Sequence, residues 1–208
     1  MTAPAPPPKT LPLRWVVIAI VVFIAGYTFL RLHYGKRGRA FEPYHDLREE
    51  ASVQRLLGLG YKRIPVRLER PAEALPAARI APAPAEITDA LGGLPAELDG
   101  ALVAKPALPA EVEGVTAPGA TAPAATYTLQ FTCAQPDFST QIRDAYLYRK
   151  ERQLFLLPNF ERIPGQLLAR SKESVVLVDF PVQSLPPGRY SVILCGRISS
   201  KSWQFTVR

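Results

Sequence analysis

The sequence predicts a single transmembrane helix, a Pro/Ala-rich linker and a C-terminal all-β antiparallel sandwich. Three observations carry that prediction. Residues 15–30, WVVIAIVVFIAGYTFL, hold no charge and only Thr28 as a polar side chain, between Arg14 and Arg31. Residues 71–126 are rich in Ala and Pro and carry 7 acidic against 2 basic groups. From Tyr127 onward, apolar and polar residues alternate in short runs.

Sixteen residues at 1.5 Å each reach about 24 Å, short of a hydrocarbon core of roughly 30 Å. Residues 13–32 reach about 30 Å if Arg14 and Arg31 extend toward the headgroups. Trp15, Tyr27 and Tyr34 stand where interfacial anchors stand. A buried core helix is disfavoured, because no other long helix pattern exists to surround an all-apolar one. A cleaved signal peptide lacks its small-residue cleavage site, since the chain continues Tyr-Thr-Phe-Leu-Arg. The expectation is therefore an uncleaved anchor spanning 13–34, with the lipid bilayer as a partner and the cell membrane as location. Arg31, Lys36, Arg37 and Arg39 outnumber Lys9 and Arg14, which favours a cytoplasmic C-terminal flank. The plan of short tail, anchor, spacer and β domain favours the extracytoplasmic side, and that is the expectation adopted.

The chain has 208 residues, 22 prolines and a net charge of +7. That length suits one anchor and one domain of modest size. Charge is segregated: residues 127–208 carry 11 basic and 6 acidic groups, opposite in balance to 71–126. Neither a long basic run nor an aromatic–basic stacking motif appears, so no nucleic-acid partner is expected.

Residues 1–12 form a Pro-rich tail, expected to be disordered or extended. Residues 41–70 read as a juxtamembrane helix–turn–strand unit. Pro43 suits a first helical turn, Asp46, Glu49 and Glu50 lie early, and Gly58 or Gly60 ends the helix. Ile64, Val66 and Leu68 then alternate with Arg63, Arg67 and Glu69, and Pro65 makes that strand an edge.

Within the linker, 71–126, Pro-Ala-Glu recurs at 71–73, 84–86, 95–97 and 109–111. The last three copies continue with Ile87, Leu98 and Val112. Pro at the first helical position and Glu at the third would seed one helical turn, with the aliphatic residue as its anchor. Low-complexity Ala/Pro/Glu drift in a linker is the simpler reading of the repeat, and the one preferred. The acidic arm is also expected to visit the basic C-terminal domain in a salt-sensitive contact.

Residues 127–208 carry some six strands and no helix pattern, which reads as a sandwich. Cys133 and Cys195 form an even pair, compatible either with a disulfide or with two free thiols. Parity sets Cys195 on the face opposite Tyr190, Val192 and Leu194, while Cys133 points inward. Leu185-Pro-Pro-Gly-Arg-Tyr190-Ser-Val-Ile-Leu, followed by Trp203-Gln-Phe-Thr-Val207, resembles the last hairpin of immunoglobulin-like or fibronectin type III-like domains. The antibody-type Cys…Trp…Cys order is absent, because Trp203 follows both cysteines. The resemblance implies a scaffold or binding module and no particular reaction.

No catalytic, cofactor-binding or metal-ligating motif is present in the sequence. His33 and His45 stand without a partner at ligand spacing, and there is no G-x-S-x-G, P-loop or dinucleotide glycine motif. The expected function is a membrane-anchored structural or adaptor protein, presenting its sandwich to a protein partner or a second copy, within an envelope complex. The alternative is a tethered glycan- or peptide-binding module.

Overall fold

The computed structural model describes residues 13–34, 45–135, 137–163 and 167–208. The chain divides into two compact units, Met1–Tyr44 and His45–Arg208. The tail 1–12, the break at 35–38 and the helix start at Pro43 lie outside the described residues.

The first unit contains α1, Leu13–Tyr34. Its described side chains run from Arg14 to Phe29, all exposed. Among the described residues, no helix is long and apolar enough to cross a membrane. This overturns the transmembrane element and the single-pass description. The expectation had required both arginines and the residues beyond them to complete the span.

The second unit begins with α2, His45–Gly58. Gly60 ends it in the left-handed region, at φ 84. The Tyr61 N–H returns to Leu56 O at 2.9 Å and the Gly60 N–H to Leu57 O at 3.0 Å. This double bond satisfies the last helical carbonyls, and the Leu56–Tyr61 apolar contact seals it.

The expected strand after Tyr61 divides at Pro65. Its first half is β1, Lys62–Ile64, and its second is β2, Arg67–Glu69. They lie in different sheets. Proline supplies no N–H to a ladder, so pairing stops there and the chain changes sheets.

Residues 71–126 are not a linker. They contribute α3 (Ala77–Ile80), β3 (Thr88–Leu91), α4 (Ala96–Ala101), β4 (Val112–Thr116) and β5 (Ala120–Thr121). Then come β6 (Thr126–Ala134), β7 (Thr140–Lys150), β8 (Gln153–Arg162), β9 (Glu173–Pro181), β10 (Gly188–Leu194) and β11 (Ser199–Val207).

Two sheets pack face to face. Among the described residues, the larger runs β1-β7-β8-β10-β11-β3, with β5 also on β11, and the smaller runs β2-β9-β6-β4. The all-antiparallel expectation fails at two places. β10 pairs with β8 in parallel, and β5 pairs with β11 in parallel. Between β8 and β10 the chain makes β9 in the other sheet, so it returns in the direction it left.

Tyr127, Leu129, Phe131 and Cys133 alternate into the space between the sheets and meet Trp203, Phe205 and Val207. Tyr127 is the hub. Its ring lies 4.4 Å from that of Phe205 and 5.0 Å from that of Phe180. Its hydroxyl accepts from Trp203 Nε1 at 2.9 Å and donates to Pro118 O at 2.7 Å. Both polar groups of this buried pair are thereby satisfied.

A second apolar cluster lies on the outer face of the larger sheet. Tyr148, Phe155, Leu157 and Cys195 meet Leu56 of α2 and Leu98, Ala101 and Leu102 of the α4 segment. The architecture is therefore mixed, with α2 and α4 over the larger sheet and α3 against β6 of the smaller one.

The Pro-Ala-Glu copies serve this packing. Leu98 is 0% exposed, Val112 is buried, and Ile87 packs against the inter-sheet core. Only the copy at Pro95 opens a helix; the one before Val112 leads into a strand.

Leu98→Ala should cost about 2–5 kcal/mol in urea unfolding of the full chain, as a buried leucine does. Leu91→Ala, in the same segment but 95% exposed, should stay within about 0.5 kcal/mol. Equal small losses at both positions would return the segment to the status of a linker.

Candidate interaction surface

Side-chain chemistry fixes the helical layer. Ser52 Oγ donates to Arg48 O at 2.8 Å and accepts the N–H groups of Val103 at 2.9 Å and Ala104 at 3.2 Å. It ties α2 to the segment after α4. Glu97 accepts from the Tyr61 hydroxyl at 3.0 Å and from Lys150. Lys150 Nζ also stands 5.1 Å from the centre of the Tyr61 ring. Burial, then Glu97, pushes the Tyr61 hydroxyl up to about 12. Lys150 and Tyr61 together hold the Glu97 carboxyl below its ordinary value. The acidic segment thus meets the basic strands through Glu97–Lys150 and Asp89–Lys201, as fixed contacts of one folded unit.

Beside this layer lies a cleft of about 360 Å³, lined by Ser52, Lys105, Arg143, Tyr146, Asn159 and Glu161 among others. Its polar groups serve one another. Asn159 accepts the Ala107 N–H at 3.0 Å and donates to Asp144 at 3.0 Å. Arg143 bridges Asp144 at 3.7 Å and Glu161 at 3.3 Å. Lys105 pairs with Asp99 at 2.6 Å. These bonds pin the 102–107 loop onto the sheet. Among the described residues, no group of three or more His, Cys, Asp or Glu side chains is placed to hold a metal ion.

The two cysteines singled out from the sequence are not brought together. Cys133 lies between the sheets, while Cys195 lies on the far side of the larger sheet, under the helices. Both are free and buried, so the disulfide is not formed. Strand parity is the physical reason, since Leu194 already occupies the inner face beside Cys195. Burial pushes both thiols up to about 12.

Two surface features bear on a partner. The first is the edge strand β3, whose outer side carries no partner strand among the described residues. Its Leu91 is 95% exposed, and Ile198 beside it is 61% exposed. The two are adjacent because Leu91 pairs with Ser199, and Gly92 packs against the Ile198 carbonyl. The second is the end of the sandwich formed by the β7–β8 turn and the β9–β10 loop. Lys62 and Arg149 are direct cross-strand partners there, and Arg152 lies against Gly188 next to Arg189. The sequence displayed the charged turn Lys150-Glu151-Arg152 and the Pro-Pro-Gly-Arg loop. It did not display their adjacency, which is a product of the parallel β8–β10 pairing.

No protein-family model, curated protein or solved structure matches the chain.

Two pH and reactivity outcomes follow from the site. Cys133 and Cys195 should react with a disulfide exchange reagent at pH 7.5 only at the rate of unfolding, rising when urea is added. Their thiols are raised in the folded state, so their contribution is full below about 8.5 and is lost as pH climbs toward 12. Glu97 behaves oppositely. Its folded value is lowered, so its contribution is present above about 4.3 and lost as pH falls through that lowered value. The difference in urea midpoint between the parent and Glu97→Gln should be present at pH 7 and vanish at acid pH. A difference that survives acidification would refute the ion-pair role.

Proposed function

We propose that this chain is a non-catalytic adaptor that offers its two-sheet domain to a protein partner, which adds a strand along β3. The carrying observation is that edge. Natural edge strands are blunted by a lysine, a proline or a bulge. β3 is short, four residues, but it has no lysine, proline or bulge, and its one charge, Asp89, is occupied by Lys201. Leu91 and Ile198 supply an apolar anchor next to the unpaired backbone groups, the combination that strand-addition partners use. By contrast, β7 carries a bulge between Ile142 and Asp144, with the charged Arg143 at that position.

The resemblance to immunoglobulin-like or fibronectin type III-like domains supports a scaffold of this kind at one corner. The Tyr190 hydroxyl donates to Pro186 O at 2.7 Å, four residues upstream, as a tyrosine corner does. It departs at the hairpin, because β8 and not β7 lies beside β10. The glycan- or peptide-binding alternative has less support. The aromatic cluster Tyr61, Tyr148 and Phe155 on the outer sheet face is buried by the helices instead of forming an open platform.

A photo-crosslinking residue in place of Leu91 should give one discrete adduct with another protein in cells. The same residue in place of Glu113, on the edge strand β4 of the smaller sheet, should not. Leu91→Lys should reduce capture in a competition format at least fivefold. No adduct at position 91, or equal adducts at both positions, would end the reading.

A further inference from the structure

We propose that the β6–β7 and β8–β9 loops form a peripheral contact for an anionic lipid surface. Phe138, Leu167 and Leu168 enter it, and Arg170 and Lys172 meet its headgroups. Leu167 is 70% exposed, Leu168 67% and Phe138 42%. Exposed apolar residues scattered singly need no explanation, but these three belong to two loops that the backbone joins. The Ala169 N–H donates to Phe138 O at 2.7 Å, which seats the residue after Leu168 on the aromatic one. On either side of that bond, the Gln135 N–H donates to Lys172 O at 2.6 Å and the Ile163 N–H to Ser139 O at 2.7 Å. The two loops are thereby one surface.

Cations stand on the same surface. Arg170 and Lys172 follow the two leucines and are exposed. Lys172 Nζ stands 5.2 Å from the centre of the Phe138 ring, so charge and aromatic face are adjacent. Among the described residues, neither cation makes an ion pair. Residues 163–172 carry these two basic groups and no acid. The nearby acids are placed otherwise. Asp137 Oδ1 accepts the Ser139 N–H and hydroxyl, each at 2.8 Å. Glu161 is bridged by Arg143 at 3.3 Å. Glu111 and Glu173 are exposed at the starts of β4 and β9, in the smaller sheet.

Lipid suits this surface better than a protein does. Three apolar side chains fall far below the roughly 20–30 residues a side of a standard protein interface. A lipid surface demands no matching shape. Attachment to it grows with the apolar area that enters and with the pull of anionic headgroups on nearby cations. Both contributions are present here within two short loops. Such a contact lies at the surface of a bilayer and needs no spanning helix. It goes beyond the adaptor reading and uses no residue of β3.

The test places an environment-sensitive dye on the full chain at Ser171→Cys. That position is exposed, and it leaves both leucines and both cations intact. Cys133 and Cys195 are buried and stay unlabelled. The vesicles are phosphatidylcholine with phosphatidylserine, and brominated acyl chains serve as quencher. We expect quenching that saturates with lipid and is lost in phosphatidylcholine alone. The same dye at Gln153→Cys, at the far end of the β7–β8 hairpin, should not be quenched. Leu167→Asp combined with Leu168→Asp should abolish the signal. Both side chains are exposed, so the urea midpoint should hold. Arg170→Gln and Lys172→Gln should each raise the half-saturating lipid concentration about fivefold, the worth of one cation at an anionic surface. Arg79→Gln removes the same charge from α3 and should leave it unchanged.

Absence of quenching at position 171 overturns the proposal, as does equal quenching at 171 and 153. Quenching that survives the double aspartate variant, or equal weakening by Arg79→Gln, also overturns it. So does a discrete protein adduct in cells from a photo-crosslinking residue at Leu167, since that outcome assigns the loops to a protein. Crosslinking from position 91 reports on β3 alone, so the two readings fail separately.

Discussion

A strand buried on both faces needs a layer on each side, and β8 is such a strand. Leu154 and Leu156 point between the sheets, while Phe155 and Leu157 point outward, and all four are buried. Continuous apolar runs of this type belong to sheets covered on two sides. The inner cover is the smaller sheet. The outer cover is drawn from the helix after Tyr44 and from the Ala/Pro-rich segment. Most of the remaining architecture follows from that demand. Without α2 and α4, Tyr148, Phe155, Leu157 and Cys195 would face water. Apolar burial supplies the driving force, at about 25 cal/mol per Å². Ser52 and Glu97 add direction, because exposed ion pairs contribute little net stability.

Prolines decide where the chain changes sheets. Pro65 separates β1 from β2, and Pro118 lies between β4 and β5. Each time, the strand before and the strand after belong to opposite sheets. The two crossings close opposite sides of the sandwich. The second is held by Tyr127, whose hydroxyl reaches Pro118 O from the middle of the core. Gly119 continues the crossing, with its N–H on Ala83 O and its own carbonyl on Thr206 N–H. A residue pair from the two sheets, Tyr127 and Trp203, is thus joined to the strap that encloses them.

The same hairpin serves both the interior and the surface. Tyr148 and Phe155 turn into the outer apolar cluster, while Arg149 and Arg152 hold the β9–β10 loop. Polar groups in the neighbouring cleft are satisfied by one another, which makes that cleft part of the scaffold. At the hairpin end, Arg149 is bonded to Ser184 O and Lys150 to Glu97, which ties this turn to the β9–β10 loop and to α4.

Much of the strand content from Tyr127 onward was legible because alternation reports a half-buried face directly. The inward residues Tyr127, Phe131, Val192, Trp203 and Phe205 follow from it, and parity separates Cys133 from Cys195. Gly60 as a helix stop was legible because only glycine enters that conformation freely. The run Leu154-Phe-Leu-Leu carried a signal for a second layer, but a short apolar run cannot name what covers it. Nor could residues 71–126 declare their role, since Ala, Pro and Glu are poor in intrinsic strand preference and their anchors, Ile87, Leu98 and Val112, are single residues. The apolar run near the N-terminus made a helix legible, but among the described residues no helix is long and apolar enough to cross a membrane. Sequence by itself determined period, turn chemistry and the facing of side chains, which are local consequences of backbone geometry. Tertiary structure alone decided strand order, the parallel β8–β10 pairing, the covering of β8 and the meeting of Arg152 with Gly188. Those depend on contacts between residues far apart in the chain, where burial outweighs local preference.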